Sequence, residues 1–336
     1  MVKLKDVAEK ANVSLATASL ALNDSKLINE KTKKKIKQWA EKLNYYPNIY
    51  AKRLAKRKSY NICIMINSEY FFKSSNIYYL RIIGGIIEEA EDTEYTVSFY
   101  FYEEDEGTKV SGEKSNIKSM DGIIVLDVMD ENTLNSLRKE LNVPIILIDN
   151  HKNFIDIYGV DNDDSGGAYK ATKYLIDLGH KKIGYIGIPD THPLGRENWN
   201  GFKKAMKEND LKEVCSFKKC KFGIKSGRRA MNYLLKNKSL PTAFYCVNDY
   251  IAIGAIEELK SKGYKVPDDV SIIGMDDMEL SSEIDPPLTT VRIKMEELGR
   301  VGIKKLISII NNGYKGDIKT IIDNEMVERK SCKNIS

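Results

Sequence analysis

Cysteine is sparse in this 336-residue chain, and its five copies are scattered as Cys63, Cys215, Cys220, Cys246 and Cys332, an odd number without a C-x-x-C pair. That pattern excludes a disulfide-stapled scaffold and a clustered thiolate metal site, so the five are expected as reduced packing thiols. Histidine is scarcer still, with only His151, His180 and His192. No uninterrupted apolar run approaches the roughly 18 residues that a membrane span requires. The N-terminal MVKLKDVAEK is a charged helical pattern rather than a secretory signal. A cytoplasmic protein with no membrane partner is expected.

Motifs of chemistry are missing as well. Neither GGAYKAT nor RIIGGII has the spacing of a phosphate loop or a dinucleotide fingerprint. VDNDDSGG lacks the regular ligands and terminal glutamate of a calcium loop, and its Asp163, Asp164 and Ser165 are read as caps of a following helix. His180 in LGHKK has no nucleophile to serve and is read as a capping or surface residue. No catalytic residue, metal ligand or cofactor is assigned.

With 42% hydrophobic and 30% charged residues, the chain is long enough for two or three cored units. Its net charge of +5 is unevenly spread. Residues 1–58 hold 15 Lys and Arg against 5 Asp and Glu, a balance of +10, which leaves −5 for the remainder. One end attracts polyanions and the rest does not.

The basic end reads LKDVAEKANVSLATASLALND, two short helices separated by a turn at Asn12 to Ser14. Val7, Ala8 and Ala11 form the inner stripe of the first, and Ala18 and Leu22 that of the second. Asn12 tolerates the left-handed backbone that such a turn requires, and Ser14 can cap the second helix. Small residues at Ala8 and Ala18 let the helices cross closely, as a helix-turn-helix demands. A third helix starts at the cap Asn29 and turns Ile36, Trp39, Ala40 and Leu43 inward, with lysines on its other faces for phosphate contact.

KLKDVAEKANVSLATASLALN, NEKT and LNYYPN resemble the headpiece of the LacI/GalR-type bacterial repressors in residue type and spacing. The resemblance implies that Leu15 and Ala16 choose bases, that Ser14, Thr17 and Asn23 contact phosphates or bases, and that Ser19 lies on the DNA side. Leu20 stands where many members carry arginine. Arginine reads guanine through a bidentate pair, whereas leucine offers only apolar contact, so the half-site of better-known members does not transfer to this chain.

After Pro47, IYAKRLAKRKS resembles the family's hinge, implying a short helix that pairs with its dimer mate on the operator. In that reading Leu54 wedges into a minor-groove step, Ala51 permits close helix approach and Lys52 meets phosphate.

From Tyr60 onward short apolar strands alternate with amphipathic helices in two successive series, the signature of parallel sheets covered by helices. Two such lobes predict a periplasmic-binding-protein-like (type I) sensor with ligand held between them, beyond the carboxyl ends of the strands. The family resemblance extends through LGHKKIGYIG, VNDYIAIGAIEELKSKGYKVPDDVSIIGMDD, PPLTTVRIKMEELG and EMVERKS, and implies lobes discontinuous in sequence. The expected division is a helix-turn-helix headpiece over 1–45, a hinge over 46–59, a first lobe over 60–158 and 291–321, and a second over 159–290 and 322–336.

Carried over position by position, the resemblance implies effector contacts at Asp149, Asn248, Asp276 and also Asp249. Asn198 stands where the family usually has arginine, with Arg196 two residues earlier and Trp199 adjacent, either stacking on a sugar or packing inward. Ser75, Asn76 and Tyr78 are further cleft candidates in the first lobe. Carboxylates and amides together suit sugar hydroxyls, so a carbohydrate is the expected effector class. The resulting expectation is a homodimeric repressor of sugar uptake or catabolism genes, bound to a near-palindromic double-stranded operator and released by its effector. The alternatives are control by a corepressor or partner protein, and a sugar-binding protein or enzyme built on the same α/β fold.

Overall fold

The computed structural model describes residues 2–45, 58–68, 71, 77–102, 120–126, 129–152, 154, 156–212, 215–236 and 240–336. Contacts divide the chain into two units, Met1–Tyr60 and Asn61–Ser336.

In the first unit α1 (Leu4–Ala11), α2 (Leu15–Leu22) and α3 (Glu30–Lys42) surround a core of Val7, Ala8, Ala11, Ala18, Ala21, Ile36 and Ala40. Asn12 is left-handed at φ 53°, and its N–H reaches the carbonyls of Ala8 and Glu9 to close α1. Ser14 caps α2 by accepting from Thr17 N at 3.0 Å, and Asn29 caps α3 by accepting from Thr32 N at 2.8 Å. Each cap is worth about 1 kcal/mol. Ala21 is an inward residue that the expected stripe omitted, whereas Leu22 is only partly buried.

The second unit holds two parallel sheets. Strands β1 (Asn61–Asn67), β2 (Thr96–Tyr102), β3 (Gly122–Leu126), β4 (Ile145–Ile148), β5 (Tyr158–Asn162) and β11 (Lys319–Ile322) form one, in the order β11-β5-β4-β3-β1-β2. β6 (Ile183–Ile186), β7 (Ser216–Phe217), β8 (Ala243–Cys246) and β9 (Ser271–Ile273) form the other, in the order β7-β6-β8-β9. Sequences such as GIIVL and IILI are buried at every position, as strands covered on both faces must be. Cys63, Cys220 and Cys246 are buried, and none of the five thiols is in a disulfide.

Helices pair closely where glycine permits it. Between α4 (Ile77–Glu91) and α11 (Met295–Asn312), a Cβ on Gly85 would stand 2.0 Å from the Glu296 carbonyl oxygen. Between α6 (Asp164–Asp177) and α7 (Pro193–Glu208), one on Gly201 would stand 2.0 Å from the Ser165 carbonyl oxygen. The glycine segments GGAYKAT and RIIGGII thus lie in helices α6 and α4. α5 (Glu131–Glu140) packs Leu134 and Leu137 against the first sheet; around the second, α8 (Ile224–Leu234) packs with α9 (Asp249–Ser261), and the short α10 (Leu280–Glu283) follows β9.

The chain crosses between lobes three times, and β10 (Thr290–Arg292) pairs antiparallel with β12 (Glu325–Val327) at the crossings. Sheet membership shifts two expected boundaries. β5 runs through Asn162 in the first sheet, beyond the expected break at 158, because its parallel pairing with β4 and β11 holds it there. Ile322 pairs with Asn162 and stays in that sheet too. His180, expected as a capping or surface residue, is buried beside Thr242, with Nδ1 2.9 Å from Oγ1.

Candidate DNA-binding surface and effector cleft

Helix α2 buries Ala18 and Ala21 and turns the singled-out residues the other way. Ser14, Leu15, Ala16, Leu20 and Asn23 are exposed, while Thr17 and Ser19 are half-buried. Two leucines 53% and 38% exposed on one small helix have no core to join and present an apolar contact surface. The Ser14 and Thr17 hydroxyls bond each other at 2.8 Å, ordering the first turn, the end that a recognition helix presents to the major groove. Lys31, Lys34, Lys35 and Lys37 are exposed on α3. Ala51, Lys52 and Leu54 lie outside the described residues, as do Ser75 and Asn76.

In the sensor unit the carboxyl ends of strands bring polar side chains together. Asp149 follows β4 and Asp276 follows β9, with left-handed backbones at φ 60° and 124°, and His151 has φ 59°. Such conformations cost non-glycine residues about 1–3 kcal/mol each and concentrate at ligand sites. Tyr78 on α4 donates to Asp149 Oδ1 at 3.0 Å. His151 reaches out of the first lobe toward the second: Nε2 is 3.2 Å from Asp149 Oδ1, and Nδ1 is 2.9 Å from Asp164 Oδ2 and 3.5 Å from Glu197 Oε2. Arg81 is held by Glu296 at 2.7 Å and 3.1 Å while its Nη1 reaches the Asp277 carbonyl at 3.5 Å.

Burial sets the electrostatics. Burial depresses the His151 pKa, but Asp149 and Asp164 outweigh it and hold the imidazole well above its ordinary value. Burial pushes the Asp164 carboxyl up to about 6, against the pull of His151. Asp276 is pushed well up by burial and then by the neighbouring Asp249, Asp164 and Asp149, only partly opposed by Arg81. Its backbone N donates to Val291 O at 2.8 Å, yet its buried carboxylate meets no hydrogen bond or ion pair among the described residues.

The other expected contacts are placed differently. Asn198 is wholly buried, its Nδ2 donating to Leu194 O at 3.1 Å and its Oδ1 accepting from Tyr245, so its amide serves the interior of the lobe. Trp199 packs inward against Tyr185 and Phe202, with Lys218 4.4 Å from its ring centroid. Asn248 caps α9 by accepting from Ile251 N at 2.9 Å. Asp249 is saturated by Thr290 at 2.5 Å, Ser281 at 2.7 Å and Met278 N at 2.8 Å, a structural tie rather than an open ligand group. Arg196 is exposed. Asp163 caps α6 through Gly166 N as expected, but Asp164 turns into the cleft because Asn162 and His151 hold its two oxygens there.

His151, Asp164 and Glu197 are the residues that sequence reasoning missed. A separate surface pocket of about 340 Å³, lined by Arg138, Pro144, Asp156, Tyr158 and Ile309 among others, lies at the amino ends of β4 and β5, away from this cluster.

A helix-turn-helix with an exposed second-helix face, joined in one chain to a two-lobed sensor, defines a ligand-responsive DNA-binding transcriptional regulator. Residues 3–48 match the model of bacterial regulatory proteins of the lacI family, and residues 172–332 match a periplasmic binding protein-like domain. The probable HTH-type transcriptional repressor ExuR of Bacillus subtilis is 32% identical, with 100% of each chain covered. The HTH-type transcriptional repressor PurR of Haemophilus influenzae is 33% identical, again with 100% of each covered. A crystal structure of the Lac repressor bound to ONPG in the repressed state superposes with a TM-score of 0.81 at 25% identity, covering 98% of this chain and 99% of that one. The chain belongs to the lacI family of bacterial regulatory proteins. Among the described residues no helix is long and apolar enough to cross a membrane.

Proposed function

We propose that this repressor controls genes of carbohydrate uptake or catabolism and leaves its operator when a neutral sugar or sugar derivative enters the cleft. The carrying observation is Asp276, a buried and unpartnered carboxylate beside Asp149 and Tyr78. A carboxylate that no protein donor occupies among the described residues can accept a charge-assisted hydrogen bond from a sugar hydroxyl. Asp149, Asp164 and Glu197 surround the His151 imidazole, Asp149 and Asp164 also act on Asp276, and Arg81 is already bound by Glu296, which favours a neutral effector over an anionic one. No reaction is assigned to the cleft.

The partner proposed is a second copy. Ile77, Leu80, Gly84 and Ile87 are exposed at helical spacing on α4, and Phe99 and Phe101 are exposed on the edge strand β2. An apolar stripe of this kind suits an isologous contact that pairs two headpieces over a near-palindrome. Effector would bias a two-state equilibrium of the paired lobes, so sugar and operator must weaken each other reciprocally.

Operator selection from random duplex DNA, repeated with a panel of neutral sugars, uronates and sugar phosphates, tests this reading. A near-palindromic site released by a neutral sugar, with the response lost in Asp276→Asn, is expected. A site that answers only to anionic compounds, or to none, overturns the effector assignment.

A further inference from the structure

One nitrogen and two oxygens from both lobes converge in the cleft. His151 Nδ1, Asp164 Oδ2 and Glu197 Oε2 lie within 4.8 Å of one another, the two contacts to Nδ1 being 2.9 Å and 3.5 Å. Ligands about 2.1 Å from a tetrahedral ion stand about 3.4 Å apart, so one ion fits among these three with small adjustments. His151 Nδ1 and Asp164 Oδ2 are both buried and pair with each other at 2.9 Å, with no further hydrogen-bond partner for either, so an ion would take the place of the proton between them. The other atom of each group is occupied: Nε2 faces Asp149 Oδ1 at 3.2 Å, and Asp164 Oδ1 accepts from Asn162 Nδ2 at 2.6 Å. A carboxylate behind one imidazole nitrogen is the arrangement that orients a metal-bound histidine, with the second nitrogen turned to the ion. Side-chain exposure is 4% for His151 and 1% for Asp164 but 31% for Glu197, so the approach lies on the glutamate side.

We infer that His151, Asp164 and Glu197 bind one divalent first-row transition ion, with Zn²⁺ as the reference case and Asp149 as the orienting group. One imidazole and two carboxylates suit borderline ions such as Zn²⁺ and Co²⁺ and offer no thiolate to a soft one. Because the first lobe supplies the histidine and the second the carboxylates, the ion favours the lobe arrangement seen here, and it leaves a coordination position for an effector oxygen. The site shares the cleft with the proposed sugar but does not depend on that assignment.

Titration of chelator-stripped full-length protein with Zn²⁺ by calorimetry, and with Co²⁺ by absorption, tests the inference. The expected result is one ion per chain. Asp149→Asn should weaken binding by about 10- to 100-fold, the usual effect of losing an outer partner, and His151→Gln and Glu197→Gln by more. His180→Gln should leave it unchanged. Glu197 is part-exposed, so its variant keeps the test decisive if His151→Gln fails to fold. Less than one ion per chain, or Glu197→Gln binding as tightly as the parent, overturns the site. Zn²⁺ binding that persists while every sugar fails would refute the effector reading alone; a sugar response without Zn²⁺ binding would refute the metal site alone.

Discussion

Replacing Asp277 with asparagine should loosen the crossings between the lobes. Its carboxylate, 9% exposed, takes Arg329 Nη2 at 2.6 Å and Arg292 Nε at 2.7 Å, both from the crossing segments. Removing one partner of a buried pair costs about 3–5 kcal/mol and of an exposed pair about 0–1. Arg329 is 19% exposed but keeps the Leu288 carbonyl at 2.8 Å, and Arg292 is 45% exposed. A loss of about 2–3 kcal/mol follows, and at about 2–4 °C per kcal/mol the melting temperature should fall by roughly 4–12 °C. The deficit should also depend on pH. Burial alone would raise the Asp277 pKa, but Arg329 and Arg292 outweigh it and hold it below the ordinary carboxylate value. A depressed folded-state pKa stabilises above the unfolded value, and the gain disappears as pH falls through the folded one. Scanning calorimetry of parent and variant should therefore show a constant gap from pH 7 to about 5 that closes at lower pH. Melting points within about 1 °C at pH 7, or a gap unchanged in acid, would refute this account.

Ser14→Ala removes the cap of α2 and should cost the headpiece about 1 kcal/mol, read as a lower denaturation midpoint; no change would mean that Thr17 or water replaces it. Leu20→Arg places a guanine reader on the exposed face of α2 and should add about 1–3 kcal/mol of preference for a guanine in the selected half-site, whereas an unaltered selection would take Leu20 off the DNA. Gly201→Ala drives a Cβ into the Ser165 carbonyl, 2.0 Å away, and should cost about 1–3 kcal/mol in urea unfolding; a neutral variant would mean that α7 shifts freely on α6.

Much of the fold was legible because local signals agreed with global ones. The left-handed Asn12, the Ser14 and Asn29 caps and the buried Ala8 and Ala18 each follow from the chemistry of one residue in one turn. Continuous apolar runs announced the covered strands. Where the reading slipped, a neighbour distant in sequence decided the outcome. β5 extends to Asn162 because β11, more than 150 residues later, supplies its edge partner. His180 reads as a surface residue until Thr242 comes to cover it.

The cleft shows the same division more sharply. Asp149 and Asp276 could be singled out because the family resemblance carries them over in local stretches of chain, IILID and GMDD. Asn198, Trp199 and Asp249 also sit in the right stretches, but their partners Tyr245, Tyr185 and Thr290 come from elsewhere and claim their polar groups or rings. His151 is the converse case. It follows Asp149 by two residues and carries no motif, since the carboxylates that define its role begin a helix at Asp164 and lie on the next one at Glu197. A group that acts by bridging two lobes has half its environment in a part of the chain to which its own sequence does not point. In this cleft the polar residues satisfied within one lobe hold structure together. Asp276, without a donor among the described residues, and His151, which meets carboxylates of the second lobe, are the groups proposed to bind ligand.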